Sequence, residues 1–173
     1  MRLLFFGRFG IMVRKKDDFG ERVPKKGVFM PKVAIKKLHA NAVVPTYGSE
    51  FSAGADLYAL EGCVIAPNET CLVHTGLAME IPVGYAGLIY ARSGLASKRG
   101  LAPANKVGVV DADYRGEVMV ALHNHSQKEQ SISTGERIAQ LVVAPFLKVE
   151  FNEVDSLNDT ARGEGGFGST GTK

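Results

Sequence analysis

Short runs of alternating apolar and polar residues, each closed by turn punctuation, constrain this chain more than any other feature. Along Glu117–Asn124, Val118, Val120 and Leu122 point one way while Met119, Ala121 and His123 point the other. That is the period-two pattern of a half-buried strand. Val33–His39, Ala55–Leu60, Thr70–Ile81, Tyr85–Ala91 and Arg137–Phe146 alternate in the same way or run β-branched. Pro67-Asn68, Pro82-Val83-Gly84 and Ser133-Thr134-Gly135 supply turns between some of them, because these residues reach backbone angles a reversing chain needs. Only Gly94–Arg99 reads as helix, a turn or two stopped by Gly100. Strands this short and this evenly spaced predict an all-β sandwich or barrel.

Charge divides the chain unevenly. Its 173 residues carry a formal net charge of +3 and fit one domain with its own core. Residues 1–31 hold eight Lys/Arg against three Asp/Glu, a balance of +5, while residues 32–173 balance at −2. The basic character therefore sits in an N-terminal extension, expected to be a flexible, solvated arm. A nucleic-acid-binding domain carries its basic patch on the folded body, so no stable nucleic-acid binding is expected. Arg8 interrupts the apolar start and no small-residue cleavage pattern follows, so no secretory signal is read. Met30, followed by Pro31, is read as an alternative start. No apolar run approaches the roughly 20 residues that span a bilayer, and a cytoplasmic, membrane-free protein is expected. Cys63 and Cys71 flank Pro67-Asn68. A hairpin there brings them near each other, with reduced, half-buried thiols the expected state. His39, His74, His123 and His125 show no metal-ligand spacing, although His123 and His125 share a strand face.

Five segments carry chemistry. In Gly108-Val109-Val110-Asp111-Ala112-Asp113-Tyr114-Arg115-Gly116-Glu117, an apolar approach meets two carboxylates, a phenol and a guanidinium on a turn. Asp111 is expected to be partly desolvated by Val109-Val110 and charged beside Arg115, a tension that suits a general base. In Tyr90-Ala91-Arg92-Ser93-Gly94-Leu95-Ala96 a strand ends at a guanidinium, a hydroxyl and a helix-opening glycine. Free amides there, with the Arg92 fork, favour phosphate oxygens. Arg162 opens a tail in which Gly165-Gly166-Phe167-Gly168-Ser169-Thr170-Gly171 combines backbone amides, hydroxyls and one ring able to stack on a base. Asp56 ends the small-residue turn Ser52-Ala53-Gly54-Ala55-Asp56-Leu57, and Gln140 interrupts an apolar strand in Gly135-Glu136-Arg137-Ile138-Ala139-Gln140-Leu141. An amide at that position needs partners if buried.

In order and spacing these segments resemble the five motifs of the trimeric deoxyuridine triphosphatases (dUTPases), from about Lys32 to the C-terminus. The resemblance implies a distorted jelly-roll, β-clip subunit over residues 32–157. It also implies a glycine-rich flap over residues 158–173 and a homotrimer with active sites shared between subunits. It implies hydrolysis of dUTP to dUMP and pyrophosphate with Mg²⁺, which limits uracil in DNA and supplies dUMP for thymidylate synthesis. Asp111 then activates water against the α-phosphorus, while Arg92, Ser93, Gly94 and Gln140 hold phosphates and Asp56 organises the phosphate-binding arginine. Asn105, Gly108, Val110 and Tyr114 belong to the hairpin that receives uracil and deoxyribose. Arg162, Phe167, Gly168 and Ser169 close over the substrate. Mg²⁺ rides on the substrate phosphates with no direct protein ligand. Two rivals are a dCTP deaminase, which has a glutamate where this chain has Asp111, and a non-catalytic nucleotide-sensing trimer.

Overall fold

The structure, a computed structural model of the single chain, describes residues 30–166. The extension up to residue 29 and the tail residues Phe167, Gly168 and Ser169 lie outside the described residues. In chain order the strands are β1 (Ala34–Lys37), β2 (Thr46–Tyr47), β3 (Ala55–Tyr58), β4 (Cys63–Ile65), β5 (Thr70–Glu80), β6 (Tyr85–Ala91), β7 (Leu101–Pro103), β8 (Gly108–Val110), β9 (Glu117–Asn124), β10 (Gln130–Ile132) and β11 (Arg137–Pro145). One helix, α1 (Ser93–Arg99), joins β6 to β7. All six of these runs are strands; β6 and β9 keep the expected bounds, β5 and β11 end one residue early, and β1 and β3 are shorter by two or three residues. The others, β2, β4, β7, β8 and β10, span two or three residues each, too few to display a period.

Two antiparallel sheets, ordered β1-β5-β9-β7 and β2-β3-β11-β6-β8, account for most of these strands, and β10 pairs with β4 in a third. The architecture is the all-β, jelly-roll-like subunit expected. Inward-facing residues of both large sheets make one core, in which Leu57, Leu77, Leu122 and Ile138 are fully buried. Each such leucine or isoleucine contributes about 1.5–3 kcal/mol by leaving water. Along β9 the burial alternates strictly, with Val118, Val120, Leu122 and Asn124 inside. Asn124 is the polar exception, and its amide donates to the Ile65 and Lys128 carbonyls. Helix α1 starts one residue earlier than expected and stops at Gly100, whose φ of +69° and amide bonds to Ala96 and Leu95 form a left-handed cap.

One irregularity matters later. The β5–β9 register slips between His74 and Ala78, and Gly76 sits in the bulge with φ +67°. A Cβ at Gly76 would also stand 3.0 Å from the Ala42 Cβ and 3.2 Å from Leu60. Glycine is therefore required twice over, by angle and by space. Near the opposite end of β5, Cys71 lies beside Cys63 of β4, and both thiols are free and half-buried. Burial and the hydrogen bond to Cys71 push the Cys63 thiol up to about 12, so it is no nucleophile at neutral pH.

Candidate active site

Strand β6 runs between the two halves of the candidate chemistry. At one end, β8 pairs with β6 so that Val110 lies opposite Gly87 and Gly108 opposite Ile89. The turn after β8 carries Asp111, and the Tyr114 amide donates to the Asp111 carbonyl to close it. Asn105, Gly108, Val110, Asp111 and Tyr114 line one open cleft of about 300 Å³. Its floor comes from the outer face of β5 and β9, through Leu72, Met119 and Ala121. Gly108 is buried, and a Cβ there would stand 3.2 Å from the Ile89 Cβ and 3.5 Å from the Asn105 amide nitrogen. Absence of a side chain lets the Asn105 amide lie over the strand. Tyr114 donates its phenol to the Glu117 carbonyl at 2.9 Å. A Cβ at Gly116 would strike that phenol, so the ring lies flat against a backbone with no side chain.

Asp111 departs from expectation in one respect. Its side chain is exposed in the single chain, not desolvated by the valines before it, because Val109 also faces out and only Val110 enters the core. Nor does Arg115 hold its charge. The Arg115 guanidinium donates to the Ala112 and Tyr114 carbonyls and pairs with Glu80 at 3.4 Å. The turn folds back on itself and spends its cation on its own carbonyls.

The other end of β6 is built by ion pairs. Asp56 on β3 is buried, and its carboxylate accepts from Arg92 Nε at 2.8 Å and from an Arg137 terminal nitrogen at 3.2 Å. Arg92 also donates to the Arg137 carbonyl at 3.4 Å. Two guanidiniums on one buried carboxylate fix both forks in place, and removing the carboxylate would leave them without their partner. Asp56, Gln140 and Tyr90 lie side by side across β3, β11 and β6, so they share the sheet face away from the core. Gln140 is half-buried rather than buried, and its side chain makes no hydrogen bond to another described residue. Its stem packs beside Gly54, where a Cβ would stand 3.1 Å from the Gln140 Cβ.

Arg92 is the N-cap of α1 and gives it no side-chain hydrogen bond, which leaves the amides of Ser93 and Gly94 unpaired. A Cβ on Gly94 would meet nothing within 4 Å. Its own chain does not require glycine there, and the space beside it is open. Arg162 lies in an exposed turn and donates Nε to the Gly165 carbonyl at 2.7 Å. Between β11 and that turn, residues 146–160 have no regular structure, and Phe151 and Leu157 are 93% and 87% exposed.

Asp111 and Arg92 are not brought together within the chain. Between Gly87, beside the Asp111 turn, and Arg92 the strand runs roughly 17 Å at ~3.3 Å per residue. That is well beyond the span from the α- to the γ-phosphorus of one triphosphate. Arg137, the second partner of Asp56, shows in the sequence only as a charge at the head of an apolar strand, and nothing local marks its partner or the cleft floor. Leu72, Met119 and Ala121 of that floor carry no signal beyond alternation.

Comparison with known proteins decides the family. The dUTPase family model matches residues 40–171. The chain belongs to the dUTPase family. It is 50% identical over 140 residues to the deoxyuridine 5'-triphosphate nucleotidohydrolase of Nautilia profundicola, covering 81% of this chain and 99% of that one. With the enzyme of the same name from Picosynechococcus sp. it shares 49% over 136 residues, 79% and 96% of the two chains. The dUTPase of Staphylococcus bacteriophage 80alpha, solved with dUpNHpp, superposes with a TM-score of 0.76 at 30% identity, covering 82% of this chain and 99% of that one. A mutant dUTPase of the S. aureus phage phi11, in which a structural Mg(II) ion is coordinated, gives a TM-score of 0.67 at 27% identity, over 72% and 97%. This member of the dUTPase family is thus an enzyme of the deoxyuridine triphosphate nucleotidohydrolase class.

Proposed function

We propose that the chain hydrolyses dUTP to dUMP and pyrophosphate by in-line attack of water on the α-phosphorus, in sites shared between the copies of a homotrimer. One observation carries this reading. A nucleoside-sized cleft ends at the Asp111 carboxylate, while the phosphate-type arginine of the same chain stands at the far end of β6. A substrate long enough to need both takes them from different copies.

Asn105 presents a donor and an acceptor to the edge of uracil, and the narrow hairpin around Gly108 and Val110 excludes a 5-methyl group. Tyr114 lies under the sugar, where a ribose 2′-hydroxyl is left without a partner at a cost of about 1–3 kcal/mol. Asp111 accepts a proton from the attacking water as that water bonds to the α-phosphorus, and the pyrophosphate oxygen leaves on the opposite side. Apposition to a neighbouring copy removes the Asp111 carboxylate from bulk water and leaves it facing the attacking water.

Arg92, held by Asp56, and the Ser93 and Gly94 amides grip the phosphate chain of a substrate seated in a neighbour's cleft. Gln140 serves the α-phosphate region beside them. The tail brings Arg162, Phe167, Gly168 and Ser169 over the bound nucleotide. Residues 146–160, at up to ~3.5 Å each, reach roughly 50 Å when extended, and their bare apolar side chains call for a surface to cover them.

No group of three or more His, Cys, Asp or Glu side chains among the described residues converges as a metal cage. On this reading Mg²⁺ would ride on the substrate triphosphate, keeping its waters. Bound there, the ion supplies charge neutralisation on the leaving pyrophosphate. In the cell the products fit a cytoplasmic role that limits uracil in DNA and feeds thymidylate synthesis.

Pyrophosphate release with dUTP, dTTP, dCTP and UTP, with and without Mg²⁺, tests the reading. Turnover confined to dUTP and dependent on Mg²⁺ is expected. Ammonia release from dCTP, or binding of dUTP without turnover, would overturn it.

A further inference from the structure

Glu117 stands at the rim of the cleft, outside the groups assigned above to substrate or water. Its carboxylate accepts from the Gly76 amide at 2.7 Å and lies 2.8 Å from His74 Nδ1. Its carbonyl accepts the Tyr114 phenol at 2.9 Å. The β5 bulge removes the Gly76 amide from the strand ladder, and an orphaned amide near the core needs an acceptor. Glu117 provides it across the β5–β9 pair. The same bulge is completed on its buried side by Thr75, whose hydroxyl donates to the Val118 carbonyl at 2.5 Å and accepts from the Leu77 amide at 3.3 Å. One residue thus ties the bulge by its side chain and the Tyr114 ring by its backbone.

We propose that Glu117 is a positioning residue for substrate selection. Fastened to Gly76 and His74, it fixes the carbonyl that orients Tyr114, and through that ring it sets the sugar side of the cleft. The proposal rests on the assignment of Tyr114 to the deoxyribose. Two described residues support the ring: Gly116, whose bare backbone lies against it, and Glu117, whose carbonyl takes its hydroxyl. With Glu117 loosened, the phenol keeps its place against Gly116 but loses the fixed acceptor that sets its height. Asp111 makes no contact with Glu117 among the hydrogen bonds and ion pairs of the turn. The effect therefore falls on binding and on discrimination between deoxyribose and ribose, not on the attack itself.

A surface ion pair with no role in selection would make a different set of outcomes. The test uses the full chain with Glu117→Ala, Glu117→Gln, Tyr114→Phe, Tyr114→Ala and the Glu117→Ala/Tyr114→Phe double variant, assayed with dUTP and UTP. The Glu117→Ala variant is expected to raise the KM for dUTP about tenfold with kcat within about twofold, the scale of one net hydrogen bond. Its preference for dUTP over UTP is expected to fall by a similar factor. Glu117→Gln restores most of both, because its amide oxygen still accepts from Gly76. The double variant is expected to be no worse than the poorer single one, since both changes break one contact. A fall in melting temperature with KM and sugar preference unchanged, or additive losses in the double variant, would overturn the proposal. If Tyr114→Ala also leaves KM and sugar preference untouched, the assignment of Tyr114 to the sugar has failed. If Tyr114→Ala alters them and Glu117→Ala does not, only the positioning role has failed.

Discussion

The two ends of β6 solve opposite problems. At the Arg92 end the charges pair within the chain: a buried carboxylate grips two guanidiniums, while the amides at the helix start and the Gln140 side chain have no partner among the described residues. At the Asp111 end the carboxylate stands exposed, its neighbouring arginine turned to carbonyls and to Glu80. A phosphate grip profits from rigidity before the ligand arrives, since preorganised donors lose nothing on binding. A base needs a low-dielectric setting and an attacking water, and in the proposed assembly both come with substrate and neighbour. The difference teaches why the proposed site is shared: on that reading a single copy is complete at neither end.

Changing Asp111 has the largest expected consequence. Asp111→Asn keeps the shape of the turn but removes the proton acceptor, so kcat should fall by about 10²–10⁴. Binding of a non-hydrolysable dUTP analogue, followed by calorimetry, should persist. Melting temperature should barely move, because the exposed carboxylate supports nothing in its own chain. A marked fall in the melting temperature of Asp111→Asn would erase the contrast between the two ends.

Asp56 predicts the reverse balance. Asp56→Ala leaves the partly exposed Arg92 and half-exposed Arg137 without their shared acceptor and should cost about 1–3 kcal/mol of stability, measured by denaturant unfolding, along with a rise in KM. Unchanged stability would mean that the Arg92 end is not locked by its own ion pairs.

The smallest effect concerns acid. Burial alone would raise the Glu117 carboxyl, but the hydrogen bonds from His74 and Gly76 outweigh it and hold the group below 4.5. A carboxyl lowered by folding adds stability above its unfolded value, and that stability is lost as pH falls through the folded value. Between pH 7 and 5 this group therefore contributes a constant amount. Below about pH 4.5 the wild type should lose stability relative to Glu117→Gln, by no more than about 1 kcal/mol for a pair this close to solvent. Unfolding curves of the two proteins across that range measure it.

Much of this architecture is legible in the chain. The alternation of β9 and the glycine that stops α1 report local physics, and both appear where the pattern puts them. The short strands β7 and β8 do not, because three residues carry no period and their pairing depends on β9 and β6. The same division runs through the site. Asp111, Arg92 and Tyr114 are conspicuous as residue types on turns. What they touch is decided by partners distant in sequence, and so the desolvation and the Arg115 partnership expected at Asp111 fail in the folded chain. Arg137 was visible as a charge and invisible as a partner, since only the β3–β11 pairing carries it to Asp56.

The shared site is open to one decisive measurement. Asp111→Asn and Arg92→Ala chains, each inactive alone, are co-expressed with different tags, and assemblies holding both are purified through the two tags in turn. In a closed ring where each site draws Asp111 from one copy and Arg92 from another, about one site in three regains both wild-type groups. Pyrophosphate release should return to roughly that fraction of the wild-type rate. Mixed assemblies no more active than either parent would show that Asp111 and Arg92 serve the same chain's site, and the account would be wrong.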